Sequence, residues 1–180
     1  MSMETVKSQK QRLSTREMVL IALMAAVTAV LSQLAIPMPS GMPLTMQTLA
    51  VALCGYVLGA RRGAAAVGLF LLLGGVGLPV FSNFRGGVGI LFGPTGGFLW
   101  GFLALAWCCG RGRGQKTGPA LLWSLPGLLA CHALGALWYG LLGHISWLAA
   151  FLLVSAPYLL KDAASLIAAY YLARALSRRL

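Results

Sequence analysis

The sequence predicts an all-α integral membrane protein, and three observations carry this prediction. Its 180 residues are 59% hydrophobic and only 9% charged, with a mean hydropathy of +0.83. A water-exposed surface needs roughly a quarter charged residues, so a lipid bilayer is the solvent that fits this composition. A helix needs about 20 apolar residues to cross the hydrocarbon core, which leaves room for roughly six crossings. We expect residues 1–180 to form a single membrane domain that begins with a polar segment, 1–16.

Six apolar segments predict six transmembrane helices. They cover residues 17–36, 44–60, 63–78, 97–110, 119–143 and 148–175. The first follows a polar start and is long enough to span, so we expect it to remain as a helix rather than a cleaved signal. The second and third are short for a full crossing. Residues 77–97 are too rich in Gly and Pro for a regular lipid-facing helix, which predicts an outer loop or re-entrant backbone shielded by protein.

The basic residues predict the orientation, because cytoplasmic loops carry an excess of Lys and Arg. If both termini are cytoplasmic, all but two of the 14 Lys and Arg residues lie on the cytoplasmic side, and the exceptions are Arg85 and Lys161. The basic residues also lack the aromatic interleaving of a nucleic-acid surface, so we expect no nucleic-acid partner. The chain is therefore predicted to be a multi-pass protein of the inner or plasma membrane. The residues on the cytoplasmic side are Lys7, Lys10, Arg12, Arg16, Arg61, Arg62, Arg111, Arg113, Lys116, Arg174, Arg178 and Arg179.

Catalytic and metal-binding functions have little support. The chain has three acidic residues, Glu4, Glu17 and Asp162, from which no carboxylate pair or metal cluster can be built. His132 and His144 have no acidic neighbour in the sequence, and we expect them to pack between helices or lie at the interface. The sequence therefore predicts no enzyme activity, no metal and no cofactor.

Two further motifs have structural interpretations. The cysteines, all inside or beside apolar segments and without a CxxC pair, are expected to be buried free thiols. The segment GRGRGQKT at 110–117 resembles a phosphate-binding loop, but Gln115 interrupts the required Gly-Lys-Ser/Thr order, which excludes a nucleotide site of that type.

Lys161 and Asp162 are the ionisable pair predicted at membrane depth. Such groups cost several kcal/mol in a bilayer and normally face the bundle interior with a partner. Adjacent residues on a helix point about 100° apart, so each is expected to meet another helix or a ligand more readily than its neighbour. A structural charge pair and a polar ligand site both remain open.

The loop VFSNFRGG at 80–87 is the second candidate site. It combines an amide, a cation and aromatic groups with glycines that permit close backbone approach, as a small-molecule site requires. A headgroup-anchored interfacial loop would also use Arg and Phe, so this alternative stays open.

Small residues at four-residue spacing allow helix backbones to approach closely. The pattern is found in Ala22/Ala26, Ala25/Ala29 and Gly55/Gly59/Gly63. It predicts packing within the chain, and for Ala22 and Ala26 also a docking face for a partner membrane subunit.

Several motifs together resemble the BioY family, the biotin-specific S components of energy-coupling-factor (ECF) transporters. They occur in the expected order over most of the chain: PLTMQTLAV at 43–51, GARRG at 59–63, GLPVF at 77–81, GGVGILFGPTGG at 86–97 and PYLLKD at 157–162. The resemblance implies a six-helix S component that captures biotin on the outer side. It also implies a membrane coupling subunit and two ATPase subunits as partners, although some relatives are thought to act without them.

The resemblance also implies roles for particular residues. Asp162 would accept hydrogen bonds from the ureido N–H groups of biotin, Asn83 or Gln47 would donate to the carbonyl, and Arg85 or Lys161 would bind the carboxylate. Family members commonly carry Lys one helical turn after the Asp, whereas this chain has Ser165 there and its lysine at Lys161. The aromatic candidates for the apolar slot are Phe81, Phe84, Phe92 and Tyr158.

Two other functions compete with biotin uptake. An S component for a different vitamin would share the fold and the partners but not the loop chemistry. A non-transport membrane enzyme or scaffold would need a polar catalytic cluster or a large soluble interface, neither of which the sequence contains.

Overall fold

A computed structural model describes residues 14–38 and 41–177. The described chain contains eight α-helices, two very short strands and one 3₁₀ turn. The helices are α1 Thr15–Ser32, α2 Gln47–Leu58, α3 Ala60–Gly75, α4 Val88–Phe92, α5 Gly96–Arg111, α6 Thr117–Gly143, α7 Trp147–Val154 and α8 Ala156–Ser177. The basic residues predicted at 7–12 and 178–179 lie outside the described residues.

The predicted spans correspond to these helices, with two differences. The expected last span, 148–175, is two helices, because α7 and α8 bend by 53° at a break. Pro157 has no backbone N–H to donate and lies just after this break, which favours a new helix start there. The all-α prediction also missed a two-stranded pairing of Ala35–Ile36 with Leu44–Thr45.

The glycine-rich segment is more ordered than a simple loop. A 3₁₀ turn, Ser82–Phe84, and the short helix α4 occupy it, and Phe81 pairs with Arg85 in an isolated bridge. Among the described residues, two helices are long and apolar enough to cross a membrane, and a third span results if α7 and α8 are counted together. The chain is thus mostly helical with two or three apolar spans by this criterion, fewer than the six predicted.

Helices α2, α3, α5 and α6 pack around a core in which α5 contacts the other three. Small residues make this packing close: a Cβ on Gly55 would lie 2.8 Å from the Cβ of Cys109 on α5, and one on Gly63 2.8 Å from the Cys54 carbonyl. On α1, Ala25 is buried, whereas Ala22 and Ala26 are exposed. The predicted internal packing therefore holds for Gly55 and Gly63, whereas Gly59 meets only the Arg113 side chain, and the Ala22/Ala26 stripe remains uncovered.

The helix ends form two opposite ends of the bundle. At one end, Arg62 pairs with Glu17, Arg113 donates to the Leu58 carbonyl, and Tyr170 donates to the Gln115 carbonyl. At the other end, the α1–α2 connection contacts the glycine-rich segment and α8. We call these the basic end and the site end.

Candidate ligand-binding site

A cavity lies between the α1–α2 connection, the glycine-rich segment and helices α5 to α8. Its volume of about 70 Å³ is small for so many lining residues, which makes it a narrow slot rather than an open chamber. It is lined by Met42, Pro43, Thr45, Gln47, Thr48, Phe81, Ser82, Ile90, Thr95, Phe98, Leu99, Phe102, Leu128, Cys131, His132, Val154, Tyr158, Lys161 and Asp162.

Asp162 is the centre of a polar cluster in this cavity. The residue is 6% exposed, its Oδ1 pairs with the Lys161 ammonium group, and its Oδ2 lies 3.2 Å from His132 Nε2. Thr48, which is also buried, lines the cavity with them. A buried carboxylate is costly unless it is paired and hydrogen-bonded, and these groups provide both.

The start of α8 is fixed by contacts with the α1–α2 connection. Tyr158 donates its hydroxyl to the Met42 carbonyl at 2.6 Å, and Lys161 donates to the Thr45 carbonyl at 2.8 Å. The break before α8 is held by Ser155, whose hydroxyl donates to the His132 carbonyl at 3.3 Å. Lys161 therefore both pairs with its neighbour Asp162 and meets another element, although the sequence favoured only the second of these.

The first turn of α2 contributes amide and hydroxyl groups. The Thr45 hydroxyl donates to Gln47 Oε1 at 3.2 Å, which orients the Gln47 amide, and all three of Thr45, Gln47 and Thr48 are buried. The start of α2 has no side-chain cap, so backbone N–H groups of its first turn lie beside the cavity and can bind a ligand.

Aromatic and aliphatic side chains form the remaining walls. Phe81 is 1% exposed and packs edge-to-face on Phe70 at 5.4 Å between ring centroids. Gly74 makes room for it, since a Cβ there would overlap the Phe81 ring. Phe98 packs edge-to-face on the His132 ring at 5.9 Å. The slot thus combines apolar walls with one polar cluster, which is typical of small-molecule sites.

Four of the predicted site residues do not line the cavity. Phe84 is 73% exposed and Phe92 is 56% exposed, where it packs near Trp100. Asn83 and Arg85 are also exposed, and Asn83 adopts a left-handed backbone with φ of 59°. Arg85 remains close to the cavity, because its Nε donates at 3.5 Å to the carbonyl of the lining residue Ser82.

His132 is the main residue that the sequence interpretation missed. The expectation that it has no acidic partner is wrong, because Asp162 lies 30 positions away in the sequence but is adjacent in the fold. Within the described part of the chain, His132 Nδ1 is buried without a hydrogen-bond partner. If Nε2–H donates to Asp162, a neutral ring presents Nδ1 as an acceptor. The sequence did contain a signal for this role, because a polar residue such as His132 inside an apolar helix normally faces the bundle interior and a partner.

The described residues contain no candidate metal site, because no three of their His, Cys, Asp and Glu side chains lie close enough together to hold an ion. The four cysteines are free thiols, and Cys131 is the one that lines the cavity. The lining residues themselves offer hydrogen-bond acceptors, donors and apolar contact, which suit recognition of a small molecule.

Known proteins resemble this chain in sequence and in fold. It is 44% identical over 142 residues to a biotin transporter of Lactococcus lactis subsp. cremoris, covering 77% of this chain and 78% of the relative. It is 35% identical over 150 residues to a probable biotin transporter of Pyrococcus horikoshii, covering 83% and 89%. A crystal structure of the S-component for biotin from an ECF-type ABC transporter superposes with a TM-score of 0.80 at 26% identity, covering 91% of both chains. The BioY family model matches residues 5–180, and the chain belongs to the BioY family.

Proposed function

We propose that this chain is the biotin-binding S component of an ECF-type transporter. The observation that carries the proposal is the Asp162 cluster in an apolar slot, in a chain of the BioY family with the S-component fold. The cluster is polar yet balanced, because Lys161 offsets the charge of Asp162. It therefore suits an uncharged polar group better than a second anion.

The ureido ring of biotin matches this cluster. The ring has two N–H donors and one carbonyl acceptor beside an apolar thioether ring. Asp162 and His132 Nδ1 offer acceptors for the N–H groups, and the Gln47 amide offers a donor for the carbonyl. Tyr158, Phe81 and Phe98 line the slot in which the ring system would lie.

The carboxylate of biotin needs a cation away from this cluster. Lys161 contacts Asp162 directly, so both mark the same end of the slot, whereas the ring and the carboxylate of biotin are separated by a carbon chain. Arg85 is exposed and bonds to the lining residue Ser82, which places it beside the slot. We assign the ring to Asp162 and the carboxylate to Arg85.

The bundle would cross the membrane six times with its basic end in the cytoplasm. Short helices such as α2, at 12 residues, would then cross where neighbouring helices shield their ends. Arg61, Arg62 and the segment 111–116 lie at one end, as the positive-inside rule requires. Single cysteines placed there should resist an impermeant thiol reagent in intact cells, and labelling would contradict this orientation.

A membrane coupling subunit and two ATPase subunits would energise uptake, and segment 110–117 of this chain lacks the residue order of a phosphate-binding loop. The exposed stripe of Ala22 and Ala26 on α1 is the proposed docking face, because small residues permit close helix approach. Replacing both with Leu should reduce co-purification of the coupling subunit and leave biotin affinity unchanged. The same exchange at Ala64 and Ala65 on α3 is the control, and equal loss of binding and assembly would contradict a docking role.

The direct test is a thermal-unfolding screen of the purified chain in detergent with biotin, riboflavin, thiamine and folate. A ligand that binds only the folded state stabilises it by RT ln(1 + [L]/Kd), so biotin at about 100 times Kd should add about 2.7 kcal/mol. We expect this shift for biotin alone. A shift for another vitamin would identify the competing S-component function, and no shift for any would favour a non-transport role.

A further inference from the structure

A second cavity, of about 400 Å³, lies at the basic end and is independent of the biotin site. It is framed by the C-terminal turns of α8, the α5–α6 connection and Tyr56 of α2. Its lining residues are Tyr56, Gly112, Arg113, Gly114, Gln115, Lys116, Tyr170, Ala173, Arg174 and Ser177. Within this lining, three side chains are cationic and none is acidic.

The charge of this cavity is uncompensated in the described part of the chain. Glu17 is paired with Arg62 elsewhere on the basic end, and Asp162 belongs to the site end. By contrast, Arg111 stacks on Trp107 and Trp123 at 5.0 and 5.2 Å, which gives that neighbouring cation partners. Lys116 and Arg174 are exposed in the cavity without such contacts.

The backbone around the cavity also favours an anion. Lys116 is the N-cap of the 27-residue helix α6 and provides no side-chain cap, so the N–H groups of Thr117 and Gly118, which follow the lining residue Lys116, remain for a ligand, whereas Pro119 has none. Tyr56 is 4% exposed and its hydroxyl has no hydrogen bond in the described structure. A buried hydroxyl lining a cationic cavity is a donor for a bound oxyanion.

The connection that carries these cations is held in place. Tyr170 donates to the Gln115 carbonyl at 2.9 Å, and Arg113 donates to the Leu58 carbonyl at 3.3 Å. The connection belongs to the GRGRGQKT segment at 110–117, which lacks the residue order of a nucleotide-binding loop. The segment instead forms a turn that carries Arg113 and Lys116, and Gly114 in this turn has a φ of 74°.

We propose that this cavity binds the phosphate group of an anionic phospholipid headgroup. The chemistry it offers, cations with helix N–H groups and a hydroxyl, recognises a phosphate oxyanion. A lipid is favoured over free phosphate because Trp107 and Trp123, both half-exposed, pack on Arg111, the residue before the lining residue Gly112, and Trp is typical of the headgroup level. Basic pockets between helices on the cytoplasmic side are a known type of lipid site.

The test measures thermal unfolding of the full chain in detergent with added phosphatidylglycerol, phosphatidylcholine or inorganic phosphate, at equal ionic strength. We compare wild type with K116Q/R174Q and with the matched double variant R16Q/R61Q, which removes two exposed cations at the same end but outside the cavity. Phosphatidylglycerol should stabilise wild type and R16Q/R61Q. Its apparent affinity should fall about 10- to 30-fold in K116Q/R174Q, because each cation near an anionic lipid contributes about 1 kcal/mol.

The outcomes separate the possible sources of the phosphate. If inorganic phosphate stabilises the protein and phosphatidylglycerol does not, the proposal of a lipid ligand is overturned. Equal affinity in both double variants would overturn the cavity as the site. Biotin affinity should be unchanged in K116Q/R174Q, so this proposal and the biotin proposal fail independently.

Discussion

The start of α8 and the turn 82–85 show how differently two sets of polar candidates behave. The sequence made both of them candidates for ligand binding, and it left a structural or interfacial alternative open for each. On α8, Lys161 and Asp162 lie in the cavity and are bound by other elements. In the turn, Asn83 and Arg85 are exposed, and only Ser82 and the preceding Phe81 line the cavity.

The difference follows from the solvent that each segment faces. A charge within an apolar bundle must find partners, so its sequence position almost determines that it faces inward. A polar residue in a turn at the membrane surface can be solvated by water and needs no partner. Residue type is therefore a strong guide to location within helices of a membrane protein and a weak guide in its loops.

The largest expected effect on binding belongs to Asp162. The substitution Asp162→Asn keeps the size but removes the charge, and losing a charge-assisted hydrogen bond in a dry pocket should lower biotin affinity by about 30- to 1000-fold, or roughly 2–4 kcal/mol. Titration of biotin into the folded proteins, with apo melting temperatures in parallel, measures this. Glu17→Gln, which removes a carboxylate at the basic end, is the control and should bind normally.

Two results would change the interpretation of Asp162. Unchanged affinity in Asp162→Asn would remove it from the site and leave Gln47 and His132 as the polar contacts. A collapsed apo melting temperature would instead indicate a structural charge pair, because the substitution leaves the partly buried Lys161 without its counter-charge.

A smaller effect should come from the exposed cation. Arg85→Gln is expected to lower biotin affinity about 2- to 5-fold, since ion pairs at exposed positions contribute up to about 1 kcal/mol. Affinity for the uncharged biotin amide should be unchanged by this substitution. Lys161→Gln, by contrast, should weaken both ligands alike because Lys161 holds the ring-binding carboxylate. If Lys161→Gln discriminates between the two ligands and Arg85→Gln does not, our assignment of the carboxylate is reversed.

The smallest effect is expected at Phe84, although its residue type is the same as that of Phe81. Phe84→Ala should change the free energy of unfolding by less than about 0.5 kcal/mol, because the ring is 73% exposed. Phe81→Ala is the matched comparison, and removing its buried ring from the Phe70 contact should cost about 3–5 kcal/mol. Chemical denaturation of both variants in mixed micelles measures the difference. Similar losses in the two would mean that the turn is not divided into a buried and an exposed half.

The sequence by itself determined the helical membrane class and the family, and it predicted that Asp162 faces the bundle interior. Composition fixes the solvent, and a lone carboxylate among apolar residues has few places to lie. The family resemblance, rather than composition, pointed to Gln47, Tyr158 and Phe81, and the structure brings all three to the cavity with Asp162.

The tertiary structure alone decided which distant residues meet. His132 reaches Asp162 because α6 and α8 pack together, and periodicity along one helix carries no information about the face of another. The break between α7 and α8 is likewise tied to a distant element, because Ser155 there donates to the His132 carbonyl across 23 positions. The basic cavity beside Tyr56 arises in the same way, because its charges become a site only when the α5–α6 connection folds against α8.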